Sequence, residues 1–228
     1  MSLSLQLRYR LLSMKRIITL ILVCCQFLLQ MQAQEMVDSF TKDTISDMVF
    51  TRIEGKSFKE DCTTLREDLR YLRVMHYNKD GEIRRGELIC HKDIADALLE
   101  IFQELYKAKY PIERMVLVDE YGADDEASMR ANNSSAFNFR YIPGTMKLSS
   151  HSRGMAIDIN PLYNPYVRQG KGGVRVSPSN AVEYVDRAKV FPYKIVKGDL
   201  CFQLFKKHGF TWGGDWKNSK DYQHFEKK

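Results

Sequence analysis

Between Ser149 and Asp158 the chain runs Ser-Ser-His-Ser-Arg-Gly-Met-Ala-Ile-Asp, setting an imidazole, His151, seven residues before a carboxylate, Asp158. Fully extended, that stretch would hold its ends about 23 Å apart at roughly 3.3 Å per residue, so two ligands of one ion require a sharp turn between them. Gly154 is where such a turn meets least steric resistance. Beyond it, alternation sends Gly154, Ala156 and Asp158 to one face and Met155, Ile157 and Ile159 to the other, so Gly154–Ile159 reads as a short strand. A small alanine beside the carboxylate leaves room for an ion. Any fold for this chain has to build a turn and a strand here.

Downstream, Asp221-Tyr222-Gln223-His224-Phe225-Glu226 offers a second carboxylate and a second imidazole three residues apart, a spacing that faces both to one side if the segment makes a helical turn. Two histidines with one carboxylate form a common catalytic zinc set with a fourth position for water, whose pKa the metal lowers toward about 7. Hydrolysis then needs a free carboxylate as proton acceptor and donor.

The remainder supports one globular domain of mixed elements. At 228 residues and 44% hydrophobic content the chain can bury a full core. Arg70–Tyr77 and Ile83–His91 read as strands around an Asn-Lys-Asp-Gly turn. From Asp93, the residues Ile94, Leu98, Ile101, Phe102 and Leu105 recur at helical spacing before Pro111. Met115–Val118 reads as a buried strand, and Asp199–His208 as a helix with an aspartate at its start and Gly209 at its stop. No regular strand-helix-strand alternation runs through the chain, so the expected class is α+β, a small mainly antiparallel sheet with flanking helices.

The first thirty-odd residues stand apart. Arg8, Arg10, Lys15 and Arg16 precede an apolar run from Ile17 to Leu29, then the small Ala33, the pattern of an export signal over 1–33, with Met14 an alternative start. The run is shorter than the ~20 residues a membrane span needs and Gln26 interrupts it. An exported location, periplasmic or extracellular, is therefore expected. Taking the four basic residues of this stretch from the formal +6 leaves +2, too little for a long-range field toward nucleic acid. Three cysteines remain, Cys62, Cys90 and Cys201, which read equally well as small buried hydrophobes or, for Cys62 with Cys90, as one disulfide. Cys201 and His208 fit core and helix-end roles on their amphipathic helix, His76 and His91 fall in the expected hairpin, and Gly170–Gly173 reads as a mobile surface loop.

Taken together, Ser149, His151, Gly154, Ala156 and Asp158 fill the pattern SxHxxGxAxD, and Asp221 with His224 its distant partner, an acid three before a histidine. On these residues the chain resembles the zinc D-alanyl-D-alanine carboxypeptidases and dipeptidases, a group that includes L-alanyl-D-glutamate endolysins. The resemblance, which runs from about Asp93 onward, implies Zn²⁺ held by His151, Asp158 and His224, Asp221 as general base, and a fold shared with the hedgehog signalling domain; Asp215, in the Gly213-Gly214-Asp215 turn between two tryptophans, ranks second to Asp221 as that base. It implies as substrate the peptide stems of peptidoglycan, cut at D-Ala-D-Ala or at L-Ala-D-Glu. The segment Asn132–Arg140 resembles the one that supplies an arginine to such sites, which makes Arg140 a candidate for stabilising an oxyanion; pairing with an acid or with a substrate carboxylate are the alternatives. Ser149 is a candidate for touching substrate or for satisfying local backbone. The division expected is a signal at 1–33, an extension packed on the domain at 34–90, and a zinc peptidase domain at 91–228. A non-catalytic zinc-containing module that binds cell wall or signals is the alternative function.

Overall fold

The computed structural model describes Gln26, residues 39–170 and residues 172–228, so apart from Gln26 the expected export signal lies outside the described residues. β1 (Thr41–Thr44), β2 (Leu69–Tyr77) and β3 (Ile83–His91) form a three-stranded antiparallel sheet in that order. The β2–β3 turn closes as the sequence indicates, with Asn78 Oδ1 accepting from the Asp80 and Glu82 amides at 3.0 and 2.9 Å. Along β2, Leu72 and Val74 are buried while Arg73 between them is exposed, the two-residue period of a half-buried strand.

α1 (Asp47–Ile53) starts at Ser46, whose hydroxyl accepts from the Val49 amide, and buries Val49 and Ile53. α2 (Lys92–Lys107) follows β3 without a linker, and Ile94, Leu98, Ile101, Phe102 and Leu105 are all buried along it. Each such side chain contributes roughly 1.5–3 kcal/mol of burial, set against the entropy of ordering the helix. His91 caps α2, its ring accepting from the Asp93 amide at 3.2 Å, a structural task consistent with its having no catalytic one.

Met115–Leu117 is extended and Met115 and Leu117 are buried, but it is not a strand, and Val118 already begins a 3₁₀ turn. The reason is that a side chain replaces the neighbouring strand: the Asn133 amide bonds both Val116 N and Val116 O, at 2.8 and 3.0 Å. α3 (Asp125–Arg130) follows, capped by Asp124.

Two further sheets replace the one expected. β4 (Ala156–Asp158), β9 (His224–Glu226) and β7 (Thr211–Trp212) form one, with β9 central; β6 (Gly173–Ser177), β5 (Tyr166–Gly170) and β8 (Lys220–Asp221) form the other, with β5 central. β4 is shorter than expected because Gly154, at φ +65°, still closes a 3₁₀ turn over Ser150–Arg153. The glycines at 170 and 173 are paired across the tip of the β5–β6 hairpin and are not part of a free loop.

α4 (Leu200–Lys207), N-capped by Asp199 and ended at His208, packs beneath β9 through Phe205, whose ring stacks on Phe225 at 4.2 Å. Ile157 and Phe225 fill the core side of that sheet, so its other side is free to carry polar groups. Cys62, Cys90 and Cys201 are all free; the disulfide weighed for Cys62 and Cys90 is not formed, and Cys90 and Cys201 are buried. Residues Phe40–Lys228 form one compact unit, and the division expected after residue 90 falls inside it, at the β3–α2 junction. Among the described residues no helix is long and apolar enough to cross a membrane.

Candidate active site

The turn demanded between His151 and Asp158 is built as follows. Ser149 caps the 3₁₀ segment, its hydroxyl accepting from the His151 amide at 3.3 Å, which is the backbone-satisfying role weighed for it. Gly154 then reverses the chain in the left-handed region, pressed against the start of α2: His91 N donates to Gly154 O at 2.9 Å, and a Cβ at Gly154 would stand 2.6 Å from His91 N. β4 carries Asp158 onward and pairs it directly with His224 of β9.

His151, Asp158 and His224 converge as expected, all three buried, with their ligand atoms within 4.8 Å of one another. His151 Nε2 lies 3.2 Å from His224 Nδ1 and 3.3 Å from Asp158 Oδ2, and His224 Nδ1 lies 3.0 Å from Asp158 Oδ1. Around an ion with bonds of about 2.0–2.1 Å, the edges of a tetrahedron measure about 3.3 Å, so the three donors already stand at the spacing a tetrahedral zinc requires.

The outer nitrogens are held too. His151 Nδ1 is 2.6 Å from Ala136 O, which fixes the tautomer that turns Nε2 inward. Behind His224, Glu226 Oε2 lies 3.6 Å from Nε2 and is itself bonded by Ser150 Oγ. Sequence reasoning assigned Glu226 no role; two residues past His224 on one strand, it shares that residue's face, and the period of two could have found it. Trp216 was missed as well: its ring centre lies 5.4 Å from that of His224.

Electrostatics tie the three together. Burial raises the pKa of Asp158, but the His151 and His224 imidazoles outweigh it and hold the carboxyl well below its usual range. Burial disfavours charge on His224, yet its contacts with Asp158 and Glu226 prevail and keep it protonated well above its ordinary pKa. A proton and a divalent cation therefore compete for the same Nδ1, and cation binding displaces the proton.

Asp221 reaches the site from a different sheet. A bend at Tyr222–Gln223, not the expected helical turn, separates Asp221 on β8 from His224 on β9 and still turns both toward one cleft. Gly213 makes room for it: a Cβ there would sit 2.7 Å from the Asp221 Cβ. Asp221 Oδ1 is buried with no hydrogen-bond partner. Burial, with the Asp158 carboxylate adding to it, pushes its pKa well above the carboxylate range, as suits a general base working near neutrality. The rival, Asp215, is instead paired with Lys197 at 3.2 Å on the surface.

These groups line one cleft of about 360 Å³, together with Ser149 and Arg140. Arg140 Nη2 is paired with Asp125 Oδ2 at 2.8 Å, one of the two alternatives to an oxyanion role, while its Nε is buried without a partner. Cys201 and His208 stay out of the cleft, the first buried on α4 and the second 3.8 Å from Glu100. His76 is buried against Ile112 O at 2.7 Å, away from the metal candidates.

No curated protein and no solved structure matches the chain. Residues 143–227 match the family described as D-alanyl-D-alanine carboxypeptidase. That segment holds His151, Asp158, Asp221 and His224, and over it the chain is similar to the D-alanyl-D-alanine carboxypeptidases.

Proposed function

We propose that the protein is an exported zinc-dependent peptidase that hydrolyses peptide bonds in the stem peptides of peptidoglycan, on a hedgehog-type fold. One observation carries this reading: three buried donors at tetrahedral spacing stand in the same cleft as a buried carboxylate, Asp221, whose Oδ1 has no partner. The basic and apolar leader supports export, and the family match over residues 143–227 supports the substrate class.

His151 Nε2, one oxygen of Asp158 and His224 Nδ1 would hold the ion, with Ala136 O and Glu226 orienting the two imidazoles. Zinc held there supplies Lewis-acid polarisation of the scissile carbonyl and acidifies a water molecule. Asp221 accepts the proton of the attacking water and returns it to the leaving amine, its raised pKa making both transfers accessible near neutral pH. Arg140, fixed by Asp125, places its guanidinium at the cleft, where positive charge favours a developing oxyanion. Ser149 contributes by holding the His151 turn.

The test is incubation of the protein with defined stem peptides, with zinc and with EDTA, followed by mass spectrometry. Chelator-sensitive loss of a terminal D-Ala, or a cut after L-Ala, is the expected result. Bound zinc with every stem left intact would reject the peptidase reading in favour of a zinc-containing binding module.

A further inference from the structure

We propose that Arg168 and Arg175, on the β5–β6 hairpin, form a carboxylate-binding subsite that selects peptides carrying a free carboxylate within two residues of the cut bond. The inference rests on the peptidase reading above and deepens it, since neither arginine belongs to the metal set or to the proton transfer.

The two residues are direct cross-strand partners, and two pairs further along the hairpin Tyr166 faces Ser177. Alternation puts all four on one face of the hairpin, and all four line the cleft that holds His151, Asp158, His224 and Asp221. The opposite face carries Val167, Val174 and Val176, with Val174 54% exposed. The hairpin thus sets its arginines on the face that lines the cleft and its valines on the other.

Two like charges directly opposite each other destabilise a strand pair. Among the described residues neither guanidinium has an ion-pair or hydrogen-bond partner to offset this. Asp125, which lines the same cleft, is held by Arg140, and Glu126 accepts from Ser177 Oγ and Ser179 N at 3.1 and 2.6 Å. An anion between the two arginines would relieve the repulsion, and guanidinium forks match carboxylates.

Position specifies where the anion belongs on a substrate. Tyr166 is paired with Asp221 across β5 and β8, so the same sheet that presents the base presents the arginines. From the Tyr166 row to the Arg168 row is two residues, about 7 Å along the strand. An extended peptide advances about 3.3–3.6 Å per residue, so a carboxylate at the arginines lies within two residues of the bond at Asp221. Two sources share this chemistry: the terminal carboxylate of a leaving D-Ala, and the free carboxyl of a D-Glu beside the cut.

The experiment uses two matched pairs of peptides: a stem peptide ending in D-Ala-D-Ala as free acid and as C-terminal amide, and an L-Ala-D-Glu peptide with the second glutamyl carboxyl free and amidated. With the zinc-loaded protein, the free acid of one pair is expected to exceed its amide at least about tenfold in kcat/KM, mainly through KM. Which pair shows the effect identifies the source. In R168Q/R175Q that preference should fall about tenfold or to unity with bound zinc unchanged, and R168K/R175K should keep part of it. No acid preference in the unaltered protein, or the same preference in R168Q/R175Q, would overturn the proposal. Cleavage of no peptide would reject the peptidase reading alone; calorimetric titration of the same four peptides then decides, an acid preference lost in R168Q/R175Q supporting the subsite and equal binding of acid and amide overturning it.

Discussion

Asp221 and His224 stand three positions apart in the chain but answer to different physics. His224 has two buried neighbours at ligand spacing, 3.0 and 3.2 Å from its Nδ1, whereas Asp221 has a buried oxygen with nothing to bond. Asp221→Ala should therefore keep zinc and lose turnover by about 10²–10⁴-fold, the usual worth of a positioned acid–base group, while His224→Ala should lose both. Metal content measured beside kcat decides it, and equal zinc loss in the two variants would make Asp221 a ligand. The identities of these residues were readable because donor chemistry belongs to the side chain itself. The surroundings that set their behaviour were not: Ala136 O behind His151 and the space that Gly213 leaves for Asp221 come from segments that sequence spacing does not connect.

The secondary elements divide in the same way. The β2–β3 hairpin and α2 were readable almost to the residue because each carries its own period, turn and stop. Met115–Leu117 misled because its pattern is that of a strand while its partner is the Asn133 side chain, and β5–β6 escaped notice because only three valines alternate along it, with glycines at its tip. Between these extremes lies the turn at Gly154, where the sequence demanded a reversal and the backbone supplies one at φ +65°. Any side chain there is doubly penalised, by the left-handed conformation and by the backbone of residues 90 and 91 only 2.6–3.3 Å away. Gly154→Ala should cost about 2–4 kcal/mol in urea unfolding with EDTA present, a condition that separates damage to the fold from loss of metal. It should also weaken zinc binding, since His151 and Asp158 hang from the two sides of that turn.

Across the whole molecule the site is an assembly of distant pieces. β4 and β9 lie some seventy positions apart and meet only through their pairing, and Asp221 arrives on a third strand from another sheet. An ion that binds only the folded arrangement stabilises it, by about 2.7 kcal/mol when zinc is 100-fold above its dissociation constant, so EDTA should lower the unfolding midpoint. One contact makes the same event visible without unfolding anything. The chain has two tryptophans: Trp212 is buried with its indole N–H bonded to Tyr222 O, away from the ligands, while Trp216 borders the cleft 5.4 Å from the His224 ring. A charged imidazolium beside an indole alters its emission, and exchanging the proton at Nδ1 for a metal ion changes the charge and ring position that the indole meets. Trp216 fluorescence should step on zinc addition and return with EDTA, and Trp216→Phe should abolish the step while Trp212 keeps a constant background. Zinc held as proposed would thus be reported optically by Trp216, a side chain outside the proposed ligand set.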